Sequence, residues 1–279
     1  MQIEIKIKPR DNEIISHDYL YSMSTMLKNV LSQIAPEFST ELHAGIHQNK
    51  IKLFTFSPLN SFPGPKSVQI EGEKRKQMLL GQRIWFRIAS PWPELLNALG
   101  QALLTNNKIR IMSKKFKVEA INMIAPPEMK ETMVWRPFGQ SASICTPWSS
   151  RTENKKSFVY PDKSINNSPE CASILKQNLI HKFQRLQEIR KDIATAWIKS
   201  AEIDKIDKNT PIEISFIPYS KDRPYKQVMH KGKNTPIRTW RCPVKITAPI
   251  PIQRLIWATG LGAMNSQGYG LVQEGKNAN

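Results

Sequence analysis

The C-terminal quarter of the chain combines cations and glycines in a pattern suited to binding anions. From Arg223 to Gln273 there are eight Lys or Arg residues and not one Asp or Glu. Four glycines, Gly260, Gly262, Gly268 and Gly270, lie near the end of this segment. Glycine has no side chain to keep a ligand away from the backbone, and the cations attract negative charge. The segment is therefore a candidate site for the backbone of a polyanion.

The elements around these glycines are in a different order from those of a nucleotide-binding loop. Such a loop follows a strand and opens a helix, so that phosphates meet the helix N-terminus. Here a helix-like apolar stripe that starts at Pro251 precedes the glycines, and a strand-like segment, Tyr269–Val272, forms the end of the glycine run. Because a helix C-terminus repels phosphate, binding would depend on loop N–H groups and on cations such as Arg254. The alternative is a tight helix-to-strand connection without a ligand.

The charge and composition of the chain indicate which class of molecule it binds. The chain has 41 Lys and Arg against 23 Asp and Glu, a net charge of +18 and a pI near 9.9, which is typical of nucleic-acid-binding proteins. A membrane surface also attracts cations, but no amphipathic helix pairs a basic face with a clean apolar face. No apolar run approaches the ~18 residues that span a bilayer, and the N-terminus lacks the apolar core of a signal peptide. We expect a cytoplasmic protein that binds nucleic acid and no membrane.

The three cysteines, Cys145, Cys171 and Cys242, are far apart and outside any metal-ligand spacing. This disfavours both a disulfide framework and a structural zinc site. We expect three small buried side chains, and the sequence predicts neither a metal nor a cofactor.

Residues 1–125 alternate between strand and helix patterns. The predicted elements are a strand at 3–7, a helix at 19–34, strands at 50–57 and 82–88, a helix at 93–104 and a strand at 116–124. The order strand, helix, strand, strand, helix, strand is typical of a ferredoxin-like domain.

A proline break at Ala125-Pro126-Pro127 marks a domain boundary, and residues 126–279 repeat the same order more loosely. Strands are predicted at 132–136, 141–146, 212–217 and 239–247, with a long helix capped by Ser168, a helix from Pro251 and a final strand. Residues 219–235 are predicted to form a basic hairpin or loop. The long helix carries Glu188 and Asp192 besides cations such as Lys182, which predicts mainly a solvated face. The predicted fold class is α+β, with two tandem ferredoxin-like (RRM-like) domains at 1–125 and 126–279.

Two local patterns resemble one protein family. The segment Gly260–Val272 looks like the glycine-rich signature of the Cas6 family, CRISPR-associated endoribonucleases that cut precursor repeat RNA: two close glycines precede an Asn-Ser and a Gly-aromatic-Gly. Leu42-His43, followed by Lys52-Leu53-Phe54-Thr55-Phe56-Ser57, is similar to the N-terminal pattern of that family. The resemblance covers nearly the whole chain.

The resemblance implies metal-independent endoribonuclease activity in antiviral defence. The ribose 2′-hydroxyl would attack a phosphodiester within the repeat, leaving a 2′,3′-cyclic phosphate and a 5′-hydroxyl. The implied partners are repeat RNA and its guide-length products, with subunits of a CRISPR effector complex as further candidates. A catalytically degenerate copy that only binds repeat RNA, and a plain RNA-binding protein of similar fold, are the alternatives.

The resemblance also implies catalytic roles. His43 matches the position of the general base, and His47 could take that part or supply the acid, since a histidine pKa near 6.5 suits proton transfer at neutral pH. Lys52 matches the lysine that stabilises the transition-state charge, and Lys50 could replace it. Many members carry a tyrosine late in the first helix, where this chain reads Thr25-Met26-Leu27.

RNA binding should depend on phosphate contacts and shape, because an A-form stem hides its base edges in a deep groove. Trp240 is a candidate for stacking on a base, although a buried tryptophan is the commoner case. The candidate RNA-binding residues are Gly260, Gly262, Asn265, Ser266, Gly268, Gly270, Arg254, Arg238, Arg241, Lys231, Lys233, Lys114, Lys115 and Lys117.

Overall fold

A computed structural model of the chain gives its fold. The structure describes residues 1–9, 14–34, 36, 52–72, 76–139, 142–145, 148–149, 157–158, 161, 169–217, 226–230, 233–237 and 239–275.

Five helices of the described residues carry the labels used below: α1 (Leu20–Ile34), α2 (Pro93–Asn106), α3 (Pro169–Ile189), α4 (Lys191–Lys199) and α5 (Ile250–Thr259). A short 3-10 helix spans Asn265–Gln267. The strands are β1 (Gln2–Pro9), β2 (Ile14–Ile15), β3 (Thr55–Phe56), β4 (Asn60–Phe62), β5 (Lys66–Val68), β6 (Gln77–Leu79), β7 (Arg83–Ala89), β8 (Lys108–Ile111), β9 (Lys114–Ile124), β10 (Thr132–Pro137), β11 (Trp148–Ser149), β12 (Ser157–Phe158), β13 (Glu213–Phe216), β14 (Lys226–His230), β15 (Lys233–Ile237), β16 (Val244–Thr247) and β17 (Val272–Glu274).

The N-terminal half is built on an antiparallel sheet in the order β3-β7-β1-β9-β8, with β4 also paired to β7. Along β1 the odd residues Ile3, Ile5 and Ile7 are buried under α1 and α2, while Lys6 and Lys8 are exposed. This alternation is the period-2 geometry of a strand. The sheet therefore keeps one face for the core and leaves the other face open.

The C-terminal half repeats this topology. Its sheet has the order β13-β16-β10-β17, which corresponds strand for strand to β3-β7-β1-β9. Helices α3 and α5 pack on it, with Leu175, Leu179 and Phe183 of α3 fully buried. The prediction of an α+β protein with two tandem ferredoxin-like domains is confirmed.

Contacts between the two halves fix their relative orientation. The Gln2 side chain, fully buried, donates a 3.0 Å hydrogen bond to the Trp257 carbonyl oxygen. Arg190, between α3 and α4, bonds Glu94 at the start of α2 (3.2 Å) and also Asp192 (2.8 Å). Together these contacts tie α5 and the α3–α4 junction to the first sheet and to α2.

Local details differ from the sequence predictions. The predicted strand at 239–247 is a strand only at Val244–Thr247, and the last strand is Val272–Glu274 where 269–272 was predicted. The predicted strand at 141–146 is reduced, within the described residues, to isolated bridges from Ile144 to Trp240 and from Cys145 to Ala263. The predicted strand at 50–57 is a strand only at 55–56 among its described residues. Lys182, predicted on a solvated face of the long helix, is 1% exposed. The spacing of charges along a helix cannot show that another segment covers one of them.

Other predictions hold. Cys145, Cys171 and Cys242 are buried. The basic segment 219–235 contains a hairpin within its described part, since β14 pairs with β15. Trp240 is buried, with its ring edge-on to Phe216 at 5.3 Å, so packing accounts for its position.

Candidate functional site

The glycine loop, Gly260–Gly270, is closed by its own hydrogen bonds. The Leu261 N–H donates to the Gly270 carbonyl oxygen at 2.8 Å. The Asn265 side-chain amide donates to the carbonyl oxygens of Leu261 (3.3 Å) and Tyr269 (3.1 Å). Buried Asn265 thus joins the two arms of the loop and gives it a defined shape.

The glycines of the loop are required by close approach of the protein to itself. Gly270 has a φ of +77°, and a Cβ placed there would lie 2.1 Å from the Leu261 carbonyl oxygen. At Gly268, a Cβ would lie 2.9 Å from side-chain atoms of Leu20 and Phe56. Packing therefore explains these two glycines without a ligand. Contact of RNA with the predicted loop residues stays a prediction.

The glycine loop packs against the N-terminal half. The Ser24 hydroxyl of α1 donates to the Ser266 carbonyl oxygen at 2.7 Å. The Thr55 hydroxyl of β3 donates to the Tyr269 carbonyl oxygen at 3.1 Å. The glycine-rich segment therefore meets the Lys52–Ser57 part of the N-terminal pattern, although Thr55 and Tyr269 are more than 200 residues apart in the chain.

Two lysines lie at this junction. Lys52 is half-buried and comes three residues before Thr55. Burial lowers the pKa of Lys52, and the nearby Lys28 ammonium lowers it further. Lys28 follows Ser24 by four residues on α1, so the two share a helix face. The sequence analysis missed Lys28. Its spacing from Ser24 was visible, but nothing in the sequence showed that this face meets Lys52.

Several predicted residues lie outside the described residues or are described only in part. His43, His47, Lys231 and Arg238 fall outside them. Lys233 begins strand β15, whose backbone alone is described. The roles of these residues stay predictions.

A cleft of about 940 Å³ lies where the open face of the first sheet meets the edge of the second. Its cations outnumber its carboxylates by five to two, and Trp85 and Phe138 add aromatic surface. The charged residues that line the cleft are Lys6, Arg83, Arg87, Arg136, Arg241, Glu4 and Glu119. An electropositive groove with aromatic side chains is suited to a single nucleic-acid strand.

Arg87 shapes the cleft. Its guanidinium bonds the Glu4 carboxylate at 3.1 Å and lies 3.9 Å above the centre of the Phe138 ring. Both charged side chains are largely buried, at 18% and 15% exposure. Arg87 therefore has a structural role, and the net positive charge of the cleft comes from its other cations.

The basic surface continues from the cleft over the open face of the first sheet. Lys117 of β9 lies opposite Lys8 of β1 and Lys108 of β8. Lys115 lies opposite Arg110. Directly paired residues share a face of a sheet, so these five cations form a contiguous patch. The alternation of residues along the strands could have revealed this basic surface from the sequence, because Lys6, Lys8 and Arg83 lie on the sheet face opposite the buried isoleucines of β1.

The other predicted cations are spread over the molecule. Arg241 lines the cleft, and half-buried Lys114 begins β9. Arg254 bonds the Ser200 hydroxyl at 2.5 Å, beside α4. Arg254 is not among the residues that line the cleft. Of these cations and the residues of the glycine loop, Arg241 is the one among the described residues that line the cleft.

The described residues form neither a metal-binding cluster nor a membrane span. No three His, Cys, Asp or Glu side chains in the described ranges are grouped to hold a metal ion. No helix in the described part of the chain is long and apolar enough to cross a membrane.

Comparison with known families identifies both halves. The family model described as "CRISPR-associated protein Cas6, N-terminal" matches residues 14–122, and "CRISPR associated protein Cas6, C-terminal" matches residues 124–274. The chain belongs to the Cas6 family of CRISPR-associated proteins. The resemblance seen in the sequence is therefore confirmed. No curated protein matched the chain.

Solved structures share the fold over nearly the full length. One, described as "Characterization of a Cas6-related gene from Pyrococcus furiosus", aligns with a TM-score of 0.76 and 17% identity over 99% of each chain. "An RAMP protein binding different RNA substrates" aligns with a TM-score of 0.74 and 18% identity over 99% of this chain and 100% of the other. "CRISPR associated protein Cas6" gives a TM-score of 0.65 and 19% identity over 99% of both. At these identities the likeness shows the fold.

Proposed function

We propose that this Cas6-family protein binds CRISPR precursor RNA and cleaves it within the repeats, using the ribose 2′-hydroxyl as nucleophile. The observation that carries the proposal is the contact of the glycine loop with α1 and β3, through Ser24–Ser266 (2.7 Å) and Thr55–Tyr269 (3.1 Å). It brings the C-terminal basic half to the segment that contains Lys52. Family membership and the RNA binding named for one structural neighbour support the choice of substrate.

The chemistry at Lys52 follows from its surroundings. Attack of the 2′-hydroxyl on phosphorus adds negative charge to the phosphoryl oxygens, which a nearby ammonium group stabilises. Half-burial makes that attraction stronger than in bulk water. The second ammonium, of Lys28, repels Lys52 when no anion is present, and a bound phosphate relieves this repulsion. His43 or His47 would accept the 2′-hydroxyl proton and return one to the 5′-oxygen that leaves.

The cleft and the open sheet face supply the second part of the site. Their cations would follow the phosphates of a repeat strand, and Trp85 could stack on a base. Arg83, Arg136 and Arg241 come from both halves of the chain. A strand in the cleft would therefore contact both halves at once.

Incubation of the purified protein with a repeat RNA in EDTA tests the reaction. We expect one cut, with 2′,3′-cyclic phosphate and 5′-hydroxyl ends, because the proposed mechanism needs no metal ion. A single 2′-deoxy substitution at the cut site should abolish cleavage and leave binding intact, since it removes only the nucleophile. Product ends are read by gel mobility before and after phosphatase treatment.

The other results of this experiment separate the rival functions. Tight, repeat-specific binding without a cut would indicate a degenerate copy. Binding without preference for the repeat would indicate a general RNA-binding protein. Cleavage of the 2′-deoxy substrate would contradict the proposed nucleophile.

Lys52→Ala should slow the cleavage step on the order of 10²–10³-fold, the usual cost of removing one group that stabilises transition-state charge. The measurement is the single-turnover rate at saturating protein. Lys52→Arg keeps the charge and should retain part of the rate, and exposed Lys66→Ala serves as the control. A wild-type rate in Lys52→Ala, with a loss in Lys50→Ala, would transfer the role to Lys50.

A further inference from the structure

A lysine is buried between helix α3 and the start of the glycine loop. The Lys182 side chain is 1% exposed, and its Nζ donates a 2.7 Å hydrogen bond to the Gly260 carbonyl oxygen. Within the described part of the chain, it makes no ion pair with a carboxylate. Desolvation lowers the pKa of Lys182 to about 7.

Stability alone does not account for a lysine at this position. Burying an amine without a counter-charge is costly, and an apolar side chain of similar shape would avoid the cost. The neighbouring buried positions on α3, Leu179, Phe183 and Leu186, carry apolar side chains. The hydrogen-bond partner of Lys182 therefore explains a lysine at this position better than any stabilisation of the core by its side chain.

That partner is part of the Gly260–Leu261 peptide unit at the start of the glycine loop, which we call the neck of the loop. The Gly260 carbonyl accepts from Lys182, and the N–H of the same peptide, that of Leu261, donates to the Gly270 carbonyl at 2.8 Å. Because a peptide group is planar, the two hydrogen bonds hold this unit from opposite ends. Gly260 itself has a positive φ of 76°, so helix α5 does not continue through it to fix its direction.

The rest of the loop extends from this fixed unit to the N-terminal half. Its other arm is attached there by the Ser266 and Tyr269 carbonyl groups, which accept from Ser24 and Thr55. A change in direction at the neck would therefore shift the contacts beside Lys28 and Lys52.

We propose that Lys182 is a positioning residue for cleavage: by holding the Gly260–Leu261 peptide, it sets the glycine loop against α1 and β3. The inference rests on the proposed function, because the loop matters for cleavage only if the protein cuts RNA. Lys182 is buried and acts through the loop, without touching the substrate.

Lys182→Met tests this proposal, since methionine fills similar space without a donor. We expect the amides of Leu261 and Gly270 to exchange with solvent about tenfold faster, and the single-turnover cleavage rate to fall about tenfold, as loss of one hydrogen bond predicts. The dissociation constant for repeat RNA should stay near the wild-type value. The melting temperature should be unchanged or higher, because a buried amine is removed.

Lys176→Met on the same helix is the matched control. It removes the same charge from a position that contacts the solvent, and it should change neither loop exchange nor cleavage. Amides of strand β16 report on global stability. If Lys182→Met destabilises the whole protein, the amide exchange rate of the loop is compared with that of β16. Global destabilisation accelerates both, whereas loss of a positioning role raises the ratio of loop exchange to β16 exchange.

Three results would overturn the inference: wild-type exchange at Leu261 and Gly270, equal acceleration at the loop and at β16, or an unchanged cleavage rate despite faster loop exchange. If the wild-type protein binds but does not cut repeat RNA, the proposed catalytic function fails and the positioning of cleavage fails with it. Faster loop exchange in Lys182→Met would then still show that Lys182 holds the neck. The two failures are therefore distinguishable.

Discussion

Raising the salt concentration from about 50 to about 200 mM is expected to weaken binding of a repeat RNA on the order of 10³–10⁵-fold, the loss that six to ten phosphate contacts produce. Each contact with a Lys or Arg releases counterions from the RNA, and added salt opposes that release. The cations of the cleft and of the open sheet face are numerous enough for this many contacts. Filter binding or fluorescence anisotropy over a salt series gives the slope.

Variants of cleft residues test whether the cations of the cleft make these phosphate contacts. Arg83→Ala combined with Arg136→Ala should reduce the slope of the logarithmic salt plot by about two, one for each lost phosphate contact. Lys130→Ala combined with Lys205→Ala removes the same charge from exposed positions that pair with acids, and should leave the slope unchanged. Equal slopes in both double variants would show that the cleft does not contact phosphates.

Replacing a histidine proposed to be catalytic is expected to have the next largest effect. His43→Ala should lower the single-turnover rate on the order of 10²–10⁴-fold, the usual contribution of a general acid or base, and should change RNA affinity little. His47→Ala should have an effect of that size if His47 supplies the base or the acid. The wild-type rate should rise with pH through the histidine pKa, near 6.5 when unperturbed, if a base limits the reaction.

His181→Ala is the control for this series, because His181 is exposed on α3 and lies outside the proposed site. Its variant should cleave at the wild-type rate with the wild-type pH profile. If His43→Ala and His47→Ala both retain the full rate, the catalytic assignment is wrong even where cleavage itself is confirmed. A lysine-based mechanism around Lys28 and Lys52 would then be the next hypothesis.

The sequence was sufficient for the main helices and central strands of both halves and for their order, but it did not predict strands β2, β5, β6 and β8. Helices α1, α2, α3 and α5 begin within a residue or two of the predicted positions, because each carries an apolar stripe and all but α1 have a proline at the first or second position. The strands that were predicted with least success are short and irregular. The segment at 141–146 is held, where described, by bridges to Trp240 and Ala263, which are contacts that no local periodicity reports.

The candidate site could be predicted only in part. The glycine run and the Lys52 segment were visible as patterns, but the closest neighbours of the glycines are atoms of the protein itself, such as the Leu261 carbonyl and the Phe56 ring. Cations that line the cleft, such as Arg83 and Arg136, were not singled out. They are ordinary exposed residues of two strands, and only the packing of the two halves places them in one cleft.

By itself, therefore, the sequence determined the fold class, the family and the basic character of the protein, because residue periodicity, glycine spacing and net charge are properties of the chain. Only the tertiary structure decided which distant residues lie together: Ser24 with Ser266, Thr55 with Tyr269, and Lys182 with Gly260. The physical reason is that local patterns specify which face of an element is buried. What covers that face depends on how the two halves pack, and this packing decides whether a lysine is solvated or holds a loop in place.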